Sequence, residues 1–173
     1  MPDREIEQFL LDHLNSVRQN DLEAYHNSTV EDLTLYEWWV TPNRIDGISF
    51  HDFMMAENAK KGTVFGSESK PGEAQASSRF DLANLKVQRY GDTAIASYTL
   101  LTTTSAPSGI TVASHNESRV MVKINGQWKV VHVSGMDHAP NLISFPAWAS
   151  PNGRVWVAWN VPRLPFAQAR SPK

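Results

Sequence analysis

Three tight reversals of the chain, each between segments of alternating apolar and polar residues, constrain the fold more than any other feature of the sequence. They lie at Gly91-Asp92, at Pro107-Ser108-Gly109 and at Asn125-Gly126. The Asn-Gly pair is the strongest signal, because both residues tolerate the positive φ angles of a two-residue hairpin turn. We therefore predict an antiparallel meander of four strands. The predicted strands cover residues 79–90, 93–104, 111–124 and 127–134.

The first of these strands carries a break in its apolar pattern. Phe80 and Leu82 alternate with polar or small residues at even positions, whereas Leu85 and Val87 continue the alternation at odd positions. A β-bulge near Ala83-Asn84 would produce this shift. The preceding residues 62–78 are rich in Gly, Ser and Thr and predict a loop.

The first third of the chain carries helical patterns. Apolar residues recur at three- and four-residue spacing from Ile6 to Val17, which predicts an amphipathic helix over residues 3–19. A short second helix is predicted at residues 22–25. The β-branched and aromatic residues of 33–40 then predict a strand.

A third helix is predicted over residues 50–60. Ser49 is placed to cap its N-terminus with Asp52 at the third helical position, and Ile48 is placed to pack on Phe53. Helices at the front and strands at the back predict an α+β domain over residues 1–138, in which the sheet curls around the long helix and leaves a pocket.

Residues 139–173 differ in composition from this domain. Their only ionisable side chains are Arg154, Arg163, Arg170 and Lys173, so this extension carries +4 and the rest of the chain −6. It is also rich in Pro and Trp, and a hairpin is predicted after Pro151. So short a segment cannot build its own core, and we expect it to dock on the domain or on a partner subunit.

Composition excludes several classes of protein. The 173 residues include no Cys, so disulfide scaffolds and thiol chemistry are excluded, and the formal net charge is only −2. Neither a basic cluster for nucleic acid nor an apolar run long enough to span a membrane is present. The acidic N-terminus is unlike a secretory signal, so we expect a cytoplasmic protein. No cofactor motif occurs.

Six short segments of the sequence together carry a resemblance to a known family. They are Asp21–Tyr25, Leu33–Glu37, Asp46–Phe53, Glu117–Val120, Gly126–Trp128 and Val131-His132. In order and in approximate spacing they resemble the association domain of calcium/calmodulin-dependent protein kinase II, and the resemblance covers roughly residues 5–137.

The resemblance implies the cone-like nuclear-transport-factor-2-like fold, a curved antiparallel sheet wrapped around a long N-terminal helix. It also implies self-association as a dimer or a larger ring. No kinase motifs occur in the sequence, so we expect a stand-alone relative without a kinase domain. The family's cleft holds arginines for small carboxylates; Arg119 matches one, whereas Leu100 and Ser134-Gly135 stand near the positions of two others.

Six side chains are predicted to line the cleft. Arginine can clamp a carboxylate, Tyr and His donate hydrogen bonds, and a glutamate balances the charge. An internal ion pair between Glu37 and Arg119 is the structural alternative. A metal site at His132, Asp137 and His138 lacks any fixed-geometry motif and is not predicted. The six candidates are Tyr25, Glu37, His51, Tyr98, Arg119 and His132.

The sequence therefore predicts a non-catalytic, homo-oligomeric association-domain-like protein with a cleft for a small organic acid or an apolar ligand. The alternative is an isomerase, dehydratase or cyclase of the same fold. In that case Glu37 or His132 would be the general base, and Tyr25 or Tyr98 its electrophilic partner.

Overall fold

The computed structural model describes residues 3–37, 40–62, 77–106, 109–136 and 143–145. Three helices lie within the first 61 residues, and one sheet curves around the first of them, which confirms the predicted α+β class. Within the described residues, no helix has both the length and the apolar content to cross a membrane. The elements are α1 (Arg4–Gln19), α2 (Leu22–Ser28), β1 (Thr29–Tyr36), β2 (Ile45–Asp46), α3 (Ser49–Lys61), β3 (Ser77–Tyr90), β4 (Thr93–Ala106), β5 (Gly109–Ile124), β6 (Gln127–Met136) and β7 (Ile143–Phe145).

Helix α1 has the ends and the buried stripe that its sequence predicts. The Asp3 side chain accepts a hydrogen bond from the Ile6 amide, and Asn20 ends the helix in the left-handed conformation with φ 56°. Its buried positions repeat at three- and four-residue spacing, so one face of the helix packs on the sheet. Those positions are Ile6, Leu10, His13, Leu14, Ser16 and Val17.

Three local predictions are wrong. Ser49 is the first helical residue of α3 and not its cap; Ile48 occupies the cap position and makes no side-chain capping bond. Phe53 is 64% exposed, so it does not form the expected staple with Ile48. Strand β1 also begins at Thr29, directly after α2, and ends at Tyr36, four residues before the predicted end.

The predicted meander is confirmed. The strands follow the order β2-β1-β6-β5-β4-β3, with antiparallel pairing throughout β3–β6. The register of β3 shifts between Ala83 and Lys86, where the bulge is predicted, and Asn84 has φ 54°. Asn125 and Gly126 both have positive φ, as the predicted hairpin turn requires. Sequence analysis missed the parallel pairing of β1 with β6.

The sheet has two unlike faces. We call the face that packs on α1 the inner face and the opposite one the outer face. Inner-face residues from four strands form one apolar core with Ile6, Leu10 and Leu14 of α1. The buried strand residues of this core are Leu33, Leu35, Ala94, Ala96, Tyr98, Met121, Trp128, Val130 and Val133.

Most of the predicted C-terminal extension lies outside the described residues. Strand β7 is its described part, and it pairs antiparallel with Ile110–Val112 of β5. The hairpin predicted after Pro151 and most of the loop predicted over residues 62–78 also lie outside the described residues.

Candidate functional site

A buried arginine lies at the centre of the inner face. Alternation along β5 places Arg119 and Glu117 on this face, and the β4 register sets Tyr98 opposite Glu117. The Arg119 guanidinium donates from Nε to the Tyr98 hydroxyl at 2.6 Å, from Nη1 to His13 Nε2 at 3.0 Å and from Nη2 to Glu117 Oε2 at 3.0 Å. Each of its three nitrogens therefore already donates a hydrogen bond within the protein.

The Glu117 carboxylate is equally well satisfied. Its Oε2 also accepts a hydrogen bond from the Tyr98 hydroxyl at 2.5 Å, and its Oε1 accepts one from His115 Nε2 at 2.7 Å. Burial alone would raise the pKa of this carboxyl, but the charge of Arg119 and the His115 hydrogen bond hold it well below the ordinary value. Glu117 is thus a buried carboxylate paired with a buried cation.

His13 joins this group from α1. Because Arg119 can only donate, His13 Nε2 must accept, and the ring proton lies on Nδ1, which donates to Ser28 Oγ at 2.9 Å. Burial, followed by the charge of Arg119, lowers the pKa of His13 well below its ordinary value. His13 is therefore a neutral ring at pH 7. We refer to His13, Tyr98, His115, Glu117 and Arg119 as the arginine cluster.

A second hydrogen-bonded group lies beside it. The Tyr25 hydroxyl of α2 lies 2.5 Å from His51 Nδ1 of α3, and His51 Nε2 lies 3.4 Å from Glu37 Oε1 after the end of β1. The Tyr25 ring centroid is 5.6 Å from that of His13, so the two groups are adjacent. Burial raises the pKa of Tyr25, which keeps its hydroxyl a proton donor toward His51.

The structure thus brings together five of the six predicted residues and separates His132 from them. His132 lies on the outer face, where its Nδ1 is 2.8 Å from Thr34 Oγ1 and its ring packs edge-on to Tyr36. The cause is a bulge between β5 and β6. Met121 pairs with Val130 but Val120 pairs with His132, so Val131 is an extra residue that reverses the alternation.

Arg119 forms an internal ion pair, but its partner is Glu117 and not Glu37, the residue named in the sequence analysis. Arg119 pairs with Glu117, two residues along the same strand, whereas Glu37 lies next to His51. Glu37 still acts on Arg119 at a distance, since its charge helps to raise the pKa of that guanidinium against the effect of burial. Leu100, which stands near the position of a family arginine, packs partly buried against the apolar core.

Sequence reasoning missed His13, His115 and Glu117. For His115 and Glu117 a signal exists, because they precede Arg119 by four and two residues and therefore lie on the same face of a strand as Arg119. His13 stands in the apolar stripe of α1 and gives no such signal. Within the ranges that the structure describes, no group of three or more His, Asp or Glu side chains is placed to hold a metal. Asp137 and His138 lie outside those ranges.

This arrangement decides what the inner face can bind. A carboxylate ligand would have to displace Glu117 from Arg119, and it would meet the additional negative charge of Glu37. The arginine cluster is therefore poorly suited to a small organic acid. Its most exposed member is His115, whose side chain is 28% accessible.

Comparison with known proteins gives a consistent picture. The model of the calcium/calmodulin-dependent protein kinase II (CaMKII) association domain matches residues 2–137. The structure is similar to the association domain of C. elegans CaMKII with a TM-score of 0.64 and 25% identity, covering 78% of this chain and 94% of that one. No curated protein matches the sequence.

Two further structures support the fold. The CaMKII hub of S. rosetta is similar with a TM-score of 0.62 and 23% identity, over 79% of this chain and 96% of that one. A nuclear transport factor 2-like superfamily protein from Salmonella enterica is similar with a TM-score of 0.55 and 18% identity, over 81% and 93% of the two chains. The cone-like fold expected from the sequence is thereby confirmed.

Proposed function

This chain belongs to the CaMKII association domain family, and from that premise we propose that it is a non-catalytic protein that assembles with copies of itself through the outer face of its sheet. Membership of the family supports the role in oligomerisation. The location of the contact surface is our inference from the side chains of the outer face.

The observation that carries the proposal is the distribution of exposed apolar side chains. Among the described residues, eight large apolar side chains are exposed, and five of them lie on the outer face by strand alternation. These five lie toward the ends of the strands, and the partly exposed apolar side chains of Ile95, Leu101, Val112 and Val120 lie on the same face between them. Apolar surface gathered on one side of a sheet is typical of an interaction site. The five are Tyr36, Tyr90, Ile110, Ile124 and Met136.

Charge is absent from the middle of the same face. The outward side chains of β4 from Ile95 to Thr103 and of β5 from Val112 to Val120 include no Asp, Glu, Lys or Arg. Removing such a surface from water carries no cost of burying an unpaired charge. Depletion of charge is also what distinguishes the core of a protein interface from other surface.

Four polar side chains at the middle of this face already bond to one another across strands. Ser97 Oγ lies 3.1 Å from Ser118 Oγ, and the Thr99 hydroxyl donates to the Asn116 side chain at 2.9 Å. A second copy laid on the face would therefore leave these groups satisfied. Two copies related by a twofold axis would present the same face to each other, as the commonest homodimers do.

Val120 provides the test, because it lies at the centre of the outer face between Ile95 and His132. Val120→Glu introduces a carboxylate there, and Phe53→Glu is the matched control on an exposed apolar residue of α3. By sedimentation velocity at micromolar concentration, we expect the wild type and the control to form dimers or larger species and Val120→Glu to be monomeric. Circular dichroism of both variants verifies that they are folded.

Two results would contradict the proposal in different ways. A monomeric wild type would refute self-association itself. A folded Val120→Glu protein as large as the wild type would refute the outer face as the contact surface and leave self-association standing.

A second part of the proposal concerns ligand binding in the cleft that the sequence predicts. On the inner face beyond the arginine cluster, Thr111 and Ala113 of β5 are exposed, and His115 is partly so. Since Arg119 is committed to Glu117, we propose an apolar, uncharged ligand for this region in preference to an organic acid. The enzyme alternative has less support, because both tyrosines it needs, Tyr25 and Tyr98, are buried and hydrogen-bonded to protein groups.

A further inference from the structure

His132 is a titratable side chain next to the centre of the outer face. It lies beside Val120 of β5, which in turn lies beside Ile95 of β4, so its neighbours on that side are apolar. On its other side, its Nδ1 is 2.8 Å from Thr34 Oγ1 and its ring packs edge-on to Tyr36. A second copy laid on the outer face would therefore cover this imidazole.

His132 differs from the other described histidines in its lack of a charged partner. Three of them have a carboxylate within ion-pair distance, and His13 accepts a hydrogen bond from Arg119. Within the part of the chain that the structure describes, no carboxylate lies that close to His132. Its hydrogen bond to Thr34 can form in either protonation state, because a hydroxyl both donates and accepts. The three histidines with a carboxylate are His26, His51 and His115.

Few charged groups surround His132 on the outer face. In the described parts of β4 and β5, the outward side chains next to it are uncharged, and β6 contributes Lys129, a cation that would repel a protonated ring. The neighbouring strands β1 and β2 contribute Asp32 and Asp46, which are both exposed, and Asp46 is already held by Arg44. A protonated His132 therefore depends on water to stabilise its charge.

Protonation decides how much it costs to bury this ring. A neutral imidazole that keeps its hydrogen bond is buried at little cost, whereas an imidazolium without a counter-charge is costly to remove from water. In a twofold dimer both copies present the same surface, so two such rings enter one interface and, when charged, repel each other. A free imidazole changes from mostly neutral to mostly protonated between pH 7.5 and pH 5.5.

On the basis of the self-association proposed above, we propose that His132 makes this association dependent on pH. Copies associate through the outer face while the ring is neutral and separate when it is protonated. The sign follows from linkage, because the separated chain binds these protons more tightly than the assembly does, so a fall in pH favours separation. For two rings, the dissociation constant should rise by up to about a hundredfold between pH 7.5 and pH 5.5, or about tenfold for each ring.

Sedimentation equilibrium of the full chain at the two pH values measures this change, and circular dichroism distinguishes separation from unfolding. His132→Gln cannot be protonated and can still bond to Thr34, so we expect its dissociation constant to change by less than about threefold. His132→Lys carries a permanent charge and should associate weakly at both pH values. The matched control is His26→Gln, which removes an exposed histidine of α2 that bonds to Asp52 of α3, and it should keep the wild-type response.

The outcomes distinguish this inference from the proposal on which it rests. A wild type that is monomeric at both pH values would refute self-association and its pH dependence together. A folded wild type that associates equally at both would overturn the pH dependence and leave self-association standing. An undiminished response in His132→Gln would assign the effect to another group, and tight association of His132→Lys at pH 7.5 would show that the interface accepts a charge at this position. Either of these last two results would overturn the role of His132.

Discussion

Two clusters of charged and polar side chains hold α1 to the sheet, one at its N-terminal end and one in its C-terminal half. They differ in their exposure to water. At the N-terminal end, Glu5 accepts hydrogen bonds from Lys123 Nζ, Trp128 Nε1 and Arg89 Nη1, all at 2.8 Å. Toward the other end, His13 accepts its bond from Arg119 in a buried environment. We call the first group, which also includes Asp3, the N-terminal clamp.

Glu5 and Arg119 each take part in three such hydrogen bonds, but we expect the loss of these bonds to affect the stability of the protein to different extents. The Glu5 side chain is 46% exposed, so water can replace any partner that is lost. Arg119 is 6% exposed, and removal of one member of its cluster leaves the other members buried and unpaired. We therefore expect the clamp to contribute little to stability and the arginine cluster to be intolerant of substitution.

The largest effect is expected for Arg119→Met. This change leaves the Glu117 carboxylate buried without its cation, and it should lower the free energy of unfolding by about 3–5 kcal/mol. Urea denaturation at a fixed protein concentration measures the loss. The double variant Arg119→Met/Glu117→Gln removes both charges and should recover part of it. A loss below about 1 kcal/mol in the single variant would contradict the distinction between the two groups.

The next largest effect is a dependence on pH that arises from His13. Its pKa in the folded protein is well below 6.5, its value in the unfolded chain, so only the unfolded chain binds a proton as the pH falls through 6.5. Stability should therefore decrease as the pH falls below 6.5, by at most about 1.4 kcal/mol per pH unit.

His13→Gln isolates this contribution. Gln at this position does not titrate, so the decrease between pH 6.5 and pH 5 should be smaller than in the wild type. Glu117 does not interfere in this window, because its depressed pKa makes its contribution fall only below about pH 4.5. If His13→Gln retains the full wild-type slope, another histidine is responsible.

How well the sequence predicts the site depends on how regularly each strand pairs with its neighbour. Period-two alternation places Tyr98 and Arg119 on one face correctly, because β4 and β5 pair without interruption. His132 is assigned to the wrong face because one extra residue, Val131, reverses the alternation in β6. The adjacent apolar residues Val130 and Val131 fit either face of the strand, so the apolar pattern indicates this bulge less clearly than it does the bulge in β3. The partner of Arg119 is a matter of three-dimensional distance, and a single sequence does not rank Glu37 against Glu117.

The smallest effect is expected for Glu5→Gln, which tests the exposed side of the comparison. Hydrogen bonds from Lys123, Trp128 and Arg89 lower the pKa of Glu5 to about 2, so its contribution is complete above pH 4.5 and is lost as the pH falls toward 2. The matched control is Glu57→Gln on α3, where the partly exposed carboxylate has Lys60 as its partner. At pH 7 and low salt, thermal unfolding should show a small decrease in Tm for Glu5→Gln, larger than for the control and far below that of Arg119→Met. The difference between the two glutamate variants should shrink in about 1 M salt, which screens exposed charges. A decrease as large as that of Arg119→Met would mean that the clamp, despite its exposure, is as important for holding α1 as the buried cluster.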